Sequence, residues 1–87
     1  MSWPIEYRPD VIEVDIPLLP KAVRQQVADA IEKKLGSEPL MFGKPLRHNL
    51  SGLRSLRVGD YRVIYLIDPI RRCVVITAID HRKDVYE

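Results

Sequence analysis

The chain is poor in the residue types that build metal centres and covalent cross-links. It has one cysteine, Cys73, and two histidines, His48 and His81. A lone thiol closes no internal disulfide and no thiolate cluster, which is the usage of a reducing cytosol. Cys73 also lies in an apolar run, Cys73-Val74-Val75-Ile76, so neither a metal site nor a cofactor is expected. No apolar stretch approaches the roughly 18 residues that span a bilayer, and the start lacks the charged-then-apolar pattern of a secretory signal. The expectation is a cytoplasmic protein with no membrane partner. A glycine-rich phosphate loop, an HExxH helix and a GxSxG elbow are missing too, which excludes nucleotide hydrolysis on a P-loop, zinc proteolysis and serine esterase chemistry.

What is present is a globular composition: 46% hydrophobic and 30% charged side chains over 87 residues. That much apolar surface collapses rather than staying disordered, and residues 1–87 read as a single domain. A chain of this size hides only about 60–65% of its unfolded surface, so a partner covering apolar surface is expected. The net charge of +2 is divided unevenly. Residues 1–43 hold five bases and seven acids, whereas residues 44–87 hold nine bases and five acids, and seven of those nine are arginine. Guanidinium is a planar fork that matches phosphate and stacks on bases, so polyanion binding by the second half is the first hypothesis, with an ordinary basic surface as the alternative.

Periodicity divides the chain into a strand, helices and a meander. Trp3, Ile5 and Tyr7 alternate with polar or constrained residues, as in a strand with one apolar face. Pro9 suits a first helical position, and Val11, Ile12 and Val14 give a short helical turn that Asp15-Ile16-Pro17 is expected to interrupt. From Leu18 the spacing of Ala22, Val23, Val27, Ala30, Ile31 and Leu35 predicts an amphipathic helix, stopped by Gly36 and Pro39. Residues 37–52 have no period and read as a long, functional loop. Leu53–Val58, Tyr61–Ile67 and Arg72–Ile79 read as three strands, the first pair joined by a two-residue type II′ turn at Gly59-Asp60 and the second by Asp68-Pro69-Ile70-Arg71. The fold class is α+β, with helices on one face of a sheet completed by a three-strand meander.

A two-residue turn sets the register of the first hairpin. Val58 faces Tyr61, Arg57 faces Arg62, Leu56 faces Val63 and Ser55 faces Ile64. Leu56, Val58, Tyr61, Val63 and Tyr65 then share a core face, while Arg57 and Arg62 share the opposite one. Like charges directly opposed across strands repel, so this pair needs an anion: an internal carboxylate from Asp60, Asp80 or Asp84, or an external phosphate. His81, Arg82 and Lys83 leave the end of the last strand, and an imidazole there is the side chain that moves protons near neutral pH. Tyr86 is placed to stack on a base or bond a phosphate. Without carboxylate clusters for Mg²⁺, phosphodiester cleavage has to be metal-free. If the chain is an enzyme, that points to RNA, whose 2′-OH is an internal nucleophile needing only a base, an acid and cationic stabilisation.

Gly43-Lys44-Pro45-Leu46, Leu50-Ser51-Gly52, Leu56-Arg57-Val58-Gly59-Asp60-Tyr61-Arg62-Val63-Ile64-Tyr65 and Ile79-Asp80-His81-Arg82-Lys83-Asp84-Val85-Tyr86 together resemble the RelE branch of the RelE/ParE superfamily of type II toxins. Asp15-Ile16-Pro17, Leu19-Pro20-Lys21 and Val23-Arg24 resemble the start of that family's helical hairpin. The resemblance implies a RelE-like fold: an N-terminal strand and a helical hairpin on a largely antiparallel sheet. It implies a bacterial or archaeal toxin with a RelB-like antitoxin, acting as a metal-independent, ribosome-dependent endoribonuclease that cuts mRNA and leaves a 2′,3′-cyclic phosphate. Operator DNA is then a partner only through the antitoxin complex. By the same resemblance Arg62 contacts the phosphate in the transition state, Arg82 is general acid or charge stabiliser, Tyr86 orients the substrate and Arg57 is a basic position on the preceding strand. Lys44, Arg54 and Lys83 complete the phosphate-binding candidates. Ser55 departs from the pattern, because relatives often carry a base two residues before Arg57. Arg54 points to the other face of a regular strand, which leaves His81 or Lys44 to compensate. The alternatives are a ParE-type toxin that poisons DNA gyrase without catalysis, and a degenerate relative that only binds its antitoxin.

Overall fold

The computed structural model describes residues 2–46 and 52–81. Five strands form one sheet: β1 (Ile5–Tyr7), β2 (Lys44–Pro45), β3 (Leu53–Val58), β4 (Tyr61–Asp68) and β5 (Cys73–His81), in the spatial order β1-β5-β4-β3-β2. The β3–β4 register is the expected one, with Arg57 opposite Arg62 and Val58 opposite Tyr61. Gly59 has φ of 59° and is followed by Asp60 without a positive φ, the signature of a type II′ turn, whose twist matches that of the flanking strands.

Two features of the sheet were not expected. First, β2 is a two-residue edge strand inside the segment read as a loop, pairing Lys44 with Ser55 and Pro45 with Arg54. It is too short to show any period, which is why periodicity misses it. Second, β1 runs parallel to β5, placing Ile5 beside Val74 and Tyr7 beside Ile76. Beyond Tyr7 no strand among the described residues lies beside that edge of β5, and the Asp15 carboxylate accepts from the Ile79 N–H at 3.0 Å.

The helical layer also corrects two boundaries. The first helical segment runs through a π-type stretch, Val11–Asp15, into a turn at Ile16–Leu18, and Asp15-Ile16-Pro17 does not interrupt it. The Ile16 N–H reaches back five residues to the Val11 carbonyl. This wider turn relieves the clash a proline ring makes with the carbonyl four residues earlier. The break falls at Leu19, which is extended at φ −77° and ψ 140°. The second helix, Lys21–Ala30, continues as a π-type stretch, Ile31–Leu35. The last strand starts one residue later than expected, because Arg72 has φ of 55°, a left-handed value that closes the turn after Asp68. Both the Ile70 and Arg71 N–H groups donate to the Asp68 carboxylate at 3.1 Å.

The core lies between the helices and one sheet face. Val11, Val27, Ile31 and Leu35 pack with Leu56, Val58, Val63, Tyr65, Val74, Ile76 and Ile79, all buried. These include the core positions the alternation predicts on β3 and β4, with Tyr61 partly buried at the margin. Tyr7, on the same face of β1, has its phenol pushed up by burial, and Glu32 adds to the shift. The fold therefore holds Tyr7 neutral at pH values where the unfolded chain ionises, near 10. Its contribution is intact below about pH 10 and is lost as pH rises through the folded value. Urea midpoints should fall as pH rises above about 10, and Tyr7→Phe should flatten that fall.

Candidate functional site

The face of the sheet turned away from the helices carries the charge. Directly paired residues share a face, so the register puts Arg57 on β3, Arg62 on β4 and Asp80 on β5 in one cross-strand row. Asp80 was one of three carboxylates expected to answer the arginine pair, and the pairing sets it on the far side of Arg62 from Arg57. Asp60 is in the exposed turn, and Asp84 lies outside the described residues. Arg57 is exposed, and its Nε donates to the Gly59 carbonyl at 3.2 Å, which pins it at the hairpin tip. Arg62 is half-buried. One carboxylate beside two guanidiniums lowers their repulsion and leaves the row net cationic.

The next row on this face runs Lys44, Ser55, Ile64, Ala78 across four strands. Lys44 is therefore brought to the arginine-bearing face by the edge strand that the sequence did not disclose. Arg54, one residue from Ser55, lies on the other face. Its Nη2 donates to the Leu40 and Gly43 carbonyls, each at 3.2 Å, and its Nε to the Tyr65 hydroxyl at 3.3 Å. With its fork committed to the chain's own oxygens on the face away from Arg57, Arg54 leaves the phosphate-binding set.

His81 is displaced as well. β5 extends two residues further than expected, so His81 is a strand residue opposite Tyr61. Its ring meets Tyr61 edge-on, with centroids 5.1 Å apart and planes at 76°. Tyr61 faces the core, so His81 is on the helix side of the sheet and not in the row of Arg57 and Arg62. Arg82, Lys83 and Tyr86 lie outside the described residues.

Sequence reading placed Tyr65 in the core but missed its second role. Its hydroxyl lies 2.9 Å from the Pro39 carbonyl and 2.7 Å from that of Phe42, while accepting from Arg54. A hydroxyl has one proton, so the two carbonyls share it. This knot holds residues 39–43 against the sheet and sets the start of β2. Gly43 has φ of 78°, and a Cβ there would sit 2.3 Å from the Tyr65 oxygen, so no larger residue fits without opening the knot. Beside it, Leu40, Pro45, Leu46, Leu53, Arg54 and Ile67 line an open, largely apolar cleft of about 340 Å³. Among the described residues, no group of histidine, cysteine, aspartate and glutamate could hold a metal ion.

A helical layer on one face of a five-strand sheet is the fold of the solved RelE toxins. Residues 12–86 match the family model described as the ParE toxin of type II toxin–antitoxin systems, parDE, and the chain belongs to this RelE/ParE family. The toxin RelG of Mycobacterium tuberculosis is 43% identical over 72 residues, 83% of each chain. The toxin RelE of the same organism is 39% identical over 72 residues, 83% of this chain and 74% of its own. The fold is that of the toxin–antitoxin complex RelBE2 from M. tuberculosis, with a TM-score of 0.86 and 35% identity over 94% of this chain and 100% of that one.

Removing the Tyr65 hydroxyl should strip Arg54 Nε and two carbonyls of their partner. Tyr65→Phe is expected to cost about 1–3 kcal/mol in urea unfolding. Gly43→Ala should cost at least as much, through strain at a positive φ as well as the contact.

Proposed function

We propose that this toxin is a metal-independent endoribonuclease that cuts mRNA on the ribosome, and that Arg57 and Arg62 hold the scissile phosphate. The observation that carries this reading is the row itself: two guanidiniums opposed across a hairpin, on a face that none of the described helices covers. In the reaction, a base removes the proton from the 2′-OH and the 2′-oxygen attacks phosphorus. The bond to the 5′-oxygen then breaks, and an acid returns a proton to that oxygen, leaving a 2′,3′-cyclic phosphate. Charge grows on the non-bridging oxygens during attack, where forked, preorganised donors contribute most. Arg82, which follows His81 in sequence, is assigned the proton or charge-stabilising role, and Tyr86 the positioning of the base. The side of the sheet on which His81 lies argues for Arg82 over His81 as the proton carrier.

The same reading includes a cognate antitoxin of the RelB type, as in the solved RelBE2 complex. The apolar cleft beside β2, which exposed Leu40 lines and the neighbouring exposed Met41 extends, is the surface we assign to that partner. Ser55, a neutral side chain in the row next to the arginines, is the observation that favours the second reading, a gyrase-poisoning toxin without catalysis. Inhibition of supercoiling by the purified protein with no RNA cut would establish that alternative.

Primer extension on ribosome-bound mRNA should show new 5′ ends with the intact protein. Arg62→Ala should reduce their rate by about 10²–10³-fold, the loss typical of one oxyanion donor. No cleavage by the intact protein would refute the nuclease assignment.

A further inference from the structure

We propose that Lys44 binds the phosphate next to the scissile one, and that the Tyr65–Arg54 knot is the device that holds it in position. This inference rests on the endoribonuclease reading and extends that site from one phosphate to two.

Lys44 is opposite Ser55, so the two share the arginine-bearing face. Ser55 and Arg57 are two residues apart on β3, a separation of about 7 Å along the strand. Lys44 is therefore the diagonal neighbour of Arg57, within reach of a long side chain. The other members of its row are Ser55, Ile64 and Ala78, none of them charged. Lys44 is exposed, and no described carboxylate pairs with it. A flexible ammonium at the rim of a forked arginine pair suits a flanking phosphate, which must be held in ground and transition state alike. Such uniform binding lowers KM without raising kcat.

A two-residue edge strand has almost no pairing of its own to keep it in place. The knot supplies the restraint. Arg54 Nη2 holds the carbonyl of Gly43, the residue immediately before Lys44, and Tyr65 holds those of Pro39 and Phe42. Arg54 is on this account a positioning residue: it touches no substrate and acts through the backbone that carries Lys44.

The test compares intact protein with Lys44→Gln, Lys44→Gln/Ser55→Lys, Arg54→Met and Lys44→Gln/Arg54→Met in cleavage of mRNA on programmed ribosomes. Lys44→Gln should raise KM about tenfold, the value of a charge-assisted hydrogen bond, with kcat within twofold. Adding Ser55→Lys returns a cation to the row from the facing strand and should restore most of the KM. Arg54→Met should raise KM alone, and in the Lys44→Gln background should add little, whereas a merely structural role would add its effect in full. An unchanged KM in Lys44→Gln, or additive effects with Arg54→Met, overturns the proposal. Should the intact protein cut nothing, the nuclease reading falls and the proposal is judged on binding alone. Affinity for a short ribo-oligonucleotide is then measured across salt concentrations. A slope shallower by about 0.7 in Lys44→Gln supports the phosphate contact, and an unchanged slope refutes it.

Discussion

Side-chain period in a strand is two, so sliding β3 against β4 by one residue would exchange every core side chain for a surface one. The Gly59-Asp60 turn prevents this. It sets Leu56 and Val58 against Val63 and Tyr61 on the helix side, and in the same stroke sets Arg57 against Arg62 on the other. Core and site are therefore not independent. The apolar burial that stabilises the hairpin also holds two like charges in opposition, and the mutual repulsion is small, a few tenths of a kcal/mol or more, beside the burial of those side chains. Asp80, next in the row, reduces it further. A protein can keep a cationic row this way without building a separate scaffold for it.

The hairpin was legible in sequence because its signals are local: alternation over six to eight residues, and a glycine followed by aspartate between them. The same locality explains the main helix, where Val27, Ile31 and Leu35 recur at the spacing that buries them. What sequence reasoning did not yield depends on contacts between distant residues. The pairing of β1 with β5 joins segments about seventy residues apart, and no local pattern distinguishes a parallel partner from an antiparallel one. Lys44–Pro45 is too brief to leave a period, and its pairing is imposed by the knot around Tyr65. Pro17 read as a stop because an α-helix excludes it, yet the wider turn that precedes it accommodates the ring.

The site was legible in part for the same reason. The opposition of Arg57 and Arg62 followed from the turn, and the face of Arg54 followed from alternation. The position of His81 did not follow, since it depends on how far β5 runs beyond the sheet's centre. Two residues of extra strand convert a loop histidine into a side chain with a fixed face, packed against Tyr61. The two halves of the chain also divide labour: helices from the acidic half cover one side of the sheet, while the arginine-rich half presents the other.

The parallel strand has a consequence for biosynthesis. Ile5, Glu6 and Tyr7 are made about seventy residues ahead of their partners Val74, Val75 and Ile76. A contact of such high order closes slowly, because the loop entropy comes due before any pairing is gained. The order of synthesis therefore keeps the sheet edge open until β5 has left the ribosome. For a toxin, this postpones the closed sheet until β5 has been made, an interval in which a partner already present can meet the nascent chain.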